Sequence, residues 1–225
     1  MSGFDLSLYL VLDPDLCGGP AQMVATAEAA ARHGATVVQL RAPDWKKRQW
    51  LQTAFELKAI LDPLGVPLII NDHIDIALAV DAAGVHVGQA DMPANVVRRL
   101  IGPDKLLGLS ITAMAELAGA PATGVDYLVV GPVFPTGTKP DATPAMGVES
   151  FAAIARASTL PVVAIGGITA DNCAALFAAG AQGVAVVSAI CGKPRVADAT
   201  RAVARAIEGS TLRATTVLER NGIRE

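Results

Sequence analysis

The sequence has only three cysteines, at positions 17, 173 and 191. Their wide spacing makes neither a disulfide framework nor a Cys-x-x-Cys metal motif, so a disulfide-stapled secreted domain and a zinc ribbon are both excluded. Reduced, structural thiols are expected, with Cys17, beside a loop, the one to check for reactivity. Aromatic residues make up 4% of the chain, the net charge is −3 and there is no basic tract. Nothing in that composition would neutralise a run of phosphates, and nucleic acid is not an expected partner. Long apolar runs are missing too. Asp, Gly, Pro or Lys interrupts each one before it is long enough to cross a bilayer, so no membrane partner is expected. Residues 1–14 contain Asp5 and Asp13 and no basic opening. They read as a first strand and not as a signal peptide, which makes the cytoplasm the expected location. General disorder is excluded as well, because 52% of residues are hydrophobic and 17% charged.

What the chain does have is a recurring unit. Short, almost wholly apolar runs predict strands at 6–12, 35–40, 66–70, 85–87, 105–109, 125–130, 160–165 and 183–187. Helical patterns separate them, with Asp44 a candidate cap for the second helix and Pro93 at the first turn of another. Gly34, Gly84, Gly124, Gly180 and Gly183 stand before or at the start of valine-containing runs. Strands buried on both faces need no polar alternation. Eight strand–helix units of about 28 residues each fit one closed barrel. The predicted fold class is therefore α/β, a single (βα)8 TIM barrel over residues 1–208, followed by a polar tail at 209–225 of unassigned structure. A doubly wound open sheet explains the alternation equally well, but it needs fewer units and the chain has no early GxGxxG.

The polar residues gather at or just after the strand ends. Gln39, Arg41, Asn71, Asp72, Gln89, Asp91, Ser110, Thr136, Thr138, Lys139, Gly166, Gly167 and Ser188 all fall there. In a barrel those ends converge on one rim, the catalytic face. Asp72 and Asp91, after neighbouring strands, suit a hard cation such as Mg2+ that keeps waters and takes substrate oxygens; a helix cap and a turn are the plainer uses of the same two residues. Zinc fits poorly, and His73 and His86 read as structural. Arg41 suits a phosphate or carboxylate, or a structural ion pair across the rim. The stretch 129–142 turns from strand to a loop with Gly131, Thr136, Gly137, Thr138 and Lys139. It suits an oxygen-rich anion, or is an ordinary proline-rich turn. Gly166-Gly167 and Ser188 occupy the places where barrels often hold a phosphate. Two anion sites in one pocket describe a reaction that joins two anionic substrates with loss of pyrophosphate.

The phrases VVQLR at 37–41, IINDHIDIALAVDAAGVHVGQADMP at 69–93, LGLS at 107–110, DYLVVGPVFPTGTKPDA at 126–142, PVVAIGGITADN at 161–172 and GVAVVSAI at 183–190 occur in this order. Together they resemble the thiamine phosphate synthase family over about residues 9–206. The resemblance implies condensation of 4-amino-5-hydroxymethyl-2-methylpyrimidine diphosphate with 4-methyl-5-hydroxyethylthiazole phosphate to give thiamine phosphate and pyrophosphate. It implies Mg2+ as cofactor, two small phosphorylated substrates as partners, and a pyrimidine-stabilised methylene cation trapped by the thiazole nitrogen. Carried over by position, Asp72 and Asp91 hold the metal, and Arg41, Ser110 and Lys139 are catalytic. Gln39, Asn71, Gln89, Thr136, Thr138, Gly167, Val187 and Ser188 join them in binding substrate.

Two departures stand out. The family commonly reads QLREK, whereas Pro43 occupies the lysine position here, leaving Lys46 or Lys47 to swing in from the next helix. After Ser110 the frequent Thr-His continuation is Ile111-Thr112. A thiazole tautomerase-like enzyme and a non-catalytic barrel that binds a phosphorylated ligand are the alternatives. A homo-oligomer is left open.

Overall fold

The computed structural model describes residues 4–120, 124–137 and 144–220, with side chains as far as residue 210. The chain opens with β1 (Leu8–Leu12), a short α1 (Pro14–Cys17), α2 (Pro20–Ala31), β2 (Val37–Leu40) and α3 (Lys47–Leu61). It continues through β3 (Leu68–Asn71), α4 (Ile74–Ala79), β4 (Gly84–Val87), α5 (Ala94–Ile101), β5 (Leu106–Ile111) and α6 (Met114–Leu117). The last units are β6 (Tyr127–Val130), α7 (Gly147–Ala157), β7 (Val162–Ile165), α8 (Cys173–Ala178), β8 (Gly183–Val186) and α9 (Val196–Arg220). Each strand pairs in parallel with the next, and β8 closes on β1 through Leu8–Val184, Tyr9–Ala185 and Leu10–Val186. The result is the closed (βα)8 barrel.

Alternation along the strands divides the interior into two layers. Leu8, Leu10, Leu12, Val38 and Leu40 face outward and join the apolar layer beneath the helices, with Trp50, Leu57 and Leu61 of α3. Tyr9, Val11, Val37, Ile69, Tyr127, Val129, Val163 and Ala185 point inward and fill the barrel axis. Both faces are dry, which is why the strands read as continuous apolar runs.

Three local features differ from expectation. The turn after β1 winds into α1, because the Asp13 carboxylate accepts from the Leu16 N–H at 2.9 Å and Pro14 takes a first-turn position. The third helix starts at Lys47 with Lys46 at its N-cap, so Asp44 does not cap it. At the other end, α9 runs through Gly209 to Arg220, and the chain does not leave the helix at 208–209 where the polar tail was expected to begin. One interior glycine costs a helix only about 1 kcal/mol. Ser210 is buried beside it, and its hydroxyl donates back to the Ala206 carbonyl at 2.6 Å. Among the described residues no helix is long and apolar enough to cross a membrane.

Candidate active site

The inward-facing layer turns polar towards the C-terminal ends of the strands. Gln39 lies two residues beyond Val37, Asn71 two beyond Ile69, and Ser110 two beyond Gly108, each with the same inward parity. Register then lines them up across the sheet: Asn71 is opposite His86, and His86 is opposite Gly108. Above them the strand ends and following loops enclose a cavity of about 290 Å3. Its wall includes Gln39, Arg41, Asn71, Asp72, Asp91, Ser110, Thr136, Gly167, Val187 and Ser188, brought together from seven of the eight units. Thr138 and Lys139 lie outside the described residues.

At one side of the cavity two carboxylates meet. Asp72 follows β3 with φ 59°, a left-handed conformation that a non-glycine residue adopts at a cost. Its N–H donates to the His86 carbonyl at 2.9 Å, which pins that conformation. Burial first, and the neighbouring Asp91 carboxyl second, push the Asp72 carboxyl up to about 7, against the opposing pull of Arg41 and Asn71. The Asn71 amide donates to Asp72 Oδ2 at 2.5 Å, and Asp91 Oδ2 accepts from the Gly88 N–H at 2.8 Å. A carboxyl that takes up a proton to sit beside another carboxylate is a place where a cation is favoured. Among the described residues no three His, Cys, Asp or Glu side chains converge for a metal. The donor set therefore fits an ion that keeps waters and ligand oxygens, such as Mg2+, and does not fit zinc.

The cavity floor is a hydrogen-bonded set that the sequence reading did not foresee. The Gln39 amide donates to the Tyr9 hydroxyl at 2.8 Å, and the Tyr9 and Tyr127 hydroxyls are 3.0 Å apart. Burial pushes both phenols up, so both keep their protons. His86, expected to be a satisfied structural histidine, lines the cavity with Nε2 2.9 Å from Ser110 Oγ. Its Nδ1 has no hydrogen-bond partner among the described residues. Burial pushes the imidazole down to about 4, so the ring is neutral at neutral pH. The usable signal was parity: Tyr9, His86 and Tyr127 are polar residues at inward positions of otherwise apolar strands. Asp13 and Thr112 also line the cavity and were not anticipated.

Gln89 is not part of the cavity wall. Its amide donates to the Ser110 carbonyl at 2.7 Å and so holds the backbone of a wall residue. Lys47 does not replace the lysine missing at Pro43. Its Nζ is 2.7 Å from Asp75 Oδ1 and 2.8 Å from His73 Nδ1, in a shallow exposed recess outside the main cavity. His73 in turn stands edge-on to Trp50, with ring centroids 4.6 Å apart.

The glycine pair after β7 serves packing before it serves any ligand. Gly166 and Gly167 have φ 100° and 63°, and a Cβ on Gly167 would lie 2.5 Å from the Pro135 carbonyl oxygen and 2.8 Å from Phe134 Cβ. The Val133 and Phe134 N–H groups donate to the Ile165 and Gly166 carbonyls at 2.8 and 3.1 Å. The loop after β6, which carries Thr136, is thereby clamped to the end of β7.

Residues 8–190 match the thiamine monophosphate synthase family. A thiamine-phosphate synthase of Laribacter hongkongensis is 53% identical over 207 residues, 92% of this chain and 97% of that protein. One from Xanthobacter autotrophicus is 48% identical over 204 residues, 91% and 96% of the two chains. Among solved structures, a thiamine phosphate pyrophosphorylase from Pyrococcus furiosus superposes with a TM-score of 0.84 at 34% identity, covering 92% of this chain and 98% of its own.

Proposed function

The chain belongs to the thiamine monophosphate synthase family, and from that premise we propose that it condenses 4-amino-5-hydroxymethyl-2-methylpyrimidine diphosphate with 4-methyl-5-hydroxyethylthiazole phosphate, forming thiamine phosphate and releasing pyrophosphate. The observation that carries this reading is the convergence of Asp72, Asp91, Arg41 and Ser110 on one wall of a cavity whose opposite wall holds Gly167, Val187 and Ser188. A diphosphate and a monophosphate thus have separate places in one enclosed space.

In this reading Asp72 and Asp91 hold Mg2+, which when bound supplies positive charge to the departing pyrophosphate. Arg41 and Lys139 add positive charge, and the Asn71 amide, Thr136 and Thr138 add neutral hydrogen-bonding groups. The Ser110 hydroxyl, in the same wall, donates to the leaving group in this reading. The C–O bond to the diphosphate breaks with its electron pair going to pyrophosphate, and the thiazole nitrogen lone pair forms the new C–N bond. The pyrimidine methylene between these events is electrophilic, and Val11, Val129 and Ile165 in the wall keep water from it. Gln39 is turned to the same space from the floor. Preorganised charge and exclusion of water account for the chemistry without a protein nucleophile. The cytoplasm is the location that suits small phosphorylated substrates and unpaired thiols.

Purified protein is expected to form thiamine phosphate from the two substrates with Mg2+ and none with excess chelator, read by chromatography of the product. Lys139→Ala is expected to lower kcat/KM for the pyrimidine diphosphate by about a hundredfold or more. A folded protein that retains a phosphorylated thiazole but makes no product under any of these conditions would refute the synthase reading.

The clamp at the end of β7 adds a prediction. Gly167→Ala puts a Cβ against Pro135 and Phe134 and forces φ 63° on an alanine. A loss of about 1–3 kcal/mol in stability is expected, together with a raised KM for the thiazole phosphate. Thermal unfolding and steady-state kinetics check the two parts separately.

A further inference from the structure

We propose that His86 is a positioning residue for Ser110: its imidazole donates from Nε2 to Ser110 Oγ, which leaves the serine proton free to point into the cavity. The inference deepens the synthase reading and rests on it for the role of Ser110.

A neutral imidazole carries one proton, and the two ring nitrogens of His86 have different surroundings. Nε2 is 2.9 Å from Ser110 Oγ, while Nδ1 is buried without a partner. An N–H with nowhere to donate is the rarer and costlier orphan in a protein interior, compared with an acceptor left bare. The proton therefore belongs on Nε2. The opposite arrangement would have Ser110 donate to the ring and offer only lone pairs to the cavity. That is the wrong polarity for a group facing a departing anion.

The floor network supports the same order. Gln39 donates to Tyr9, and Tyr9 is within hydrogen-bond distance of Tyr127. If the Tyr9 proton goes to Tyr127, the Tyr127 proton is left over, and the Tyr127 hydroxyl and His86 Nδ1 are close neighbours. A Cβ built on Gly108 would lie 2.5 Å from the first and 2.4 Å from the second. The Tyr127 hydroxyl is thus near Nδ1 without being hydrogen-bonded to it. Gln89 holds the Ser110 backbone in place through its carbonyl. In this proposal His86 acts through Ser110.

The direct test is 15N NMR of the full-length, 15N-labelled protein at neutral pH, with the His86 signals assigned by their loss in His86→Gln. The expected pattern is a protonated Nε2 and a bare Nδ1; a proton on Nδ1 overturns the proposal. This readout does not depend on turnover. If the wild-type protein made no thiamine phosphate, the synthase reading would fail while the ring assignment stood. Kinetics give a second, separate test. His86→Leu is expected to lower kcat by about tenfold or more, with KM for both substrates changed by less than about threefold. His86→Gln, whose amide nitrogen reaches the position of Nε2, is expected to recover activity to within about fivefold of wild type. In a Ser110→Ala background His86→Leu is expected to slow the enzyme no further. A merely structural histidine would slow both backgrounds equally, and that result would overturn the proposal.

Discussion

Asp72→Gly is expected to abolish Mg2+-dependent thiamine phosphate formation, with kcat/KM reduced at least about a thousandfold, and yet to raise the stability of the metal-free protein. The activity loss follows from removing half of the carboxylate pair proposed to hold the metal. The stability gain has two sources. Glycine adopts φ 59° without the strain an aspartate bears there, and a half-buried carboxyl beside Asp91 disappears. Added chain entropy in the unfolded state offsets part of the gain, leaving about 0.5–1 kcal/mol above pH 7. Its pH dependence identifies the cause. The Asp72 carboxyl titrates at about 7 in the folded protein and at about 4 when unfolded. Between those values the folded state binds the extra proton, so the Asp72 contribution to stability falls as pH rises from about 4 to about 7. His86 works in the opposite direction, since it is pushed down to about 4 when folded and has an unfolded value of about 6.5. The Asp72 contribution is therefore read as the difference between wild type and Asp72→Asn in thermal melts across this range. Mg2+ is expected to stabilise the wild type more as pH rises towards 8, by competing with that proton, and to leave Asp72→Gly unaffected. A metal-free Asp72→Gly protein less stable than wild type at pH 8 would contradict the strain-and-burial account.

Gly108→Ala is expected to damage both the fold and the site with a single methyl group. The new Cβ would lie 2.3 Å from Tyr127 Cζ, 2.5 Å from its hydroxyl and 2.4 Å from His86 Nδ1. Both rings are buried in the barrel axis and belong to the hydrogen-bonded floor, so neither yields as an exposed flexible side chain would. Overpacking of this kind costs about 1–3 kcal/mol. Displacing His86 also disturbs Ser110, so kcat is expected to fall by about tenfold even in molecules that remain folded. Thermal unfolding and kcat measured at a temperature well below the transition separate the two effects. Unchanged kcat would show that the ring positions next to Gly108 do not matter to turnover.

The barrel and much of its rim were legible in the sequence for a topological reason. Parallel strands joined by helices all end on the same face, so Arg41, Asp72, Asp91 and Ser110 had to approach one another wherever they stood in the chain. The cavity floor was not legible, because it depends on which side of each strand faces the axis and on the stagger between strands. Tyr9 and Tyr127 looked like ordinary apolar-core residues, and His86 like a filler, until register placed all three next to Gln39 and Gly108. The place of Gln89 was not legible for a related reason: it stands beside the other rim residues, but its side chain reaches along the rim to the Ser110 carbonyl. Gly166 and Gly167 were correctly located and incompletely understood, since their need for φ above zero and for close contact with the loop after β6 is a fact of packing between two units. The course of the chain beyond 208 was left unassigned, and α9 continues there because a single glycine at 209 is too small a penalty to stop it.

The pairing of β1 with β8 has a consequence for how the protein comes into being. Of the eight barrel strands, the first to be made has one of its two final partners in the last, so one side of the growing sheet stays unpaired until β8 is made. That edge is apolar on both faces, from Leu8 to Leu12, and is the kind of surface that associates with other chains while it waits. Closure needs residues 183–186, and without them the cavity lacks the part of its wall that Ala185, Val186, Val187 and Ser188 supply. The circular order of the strands thus makes the site a property of the closed barrel and of no shorter run of units.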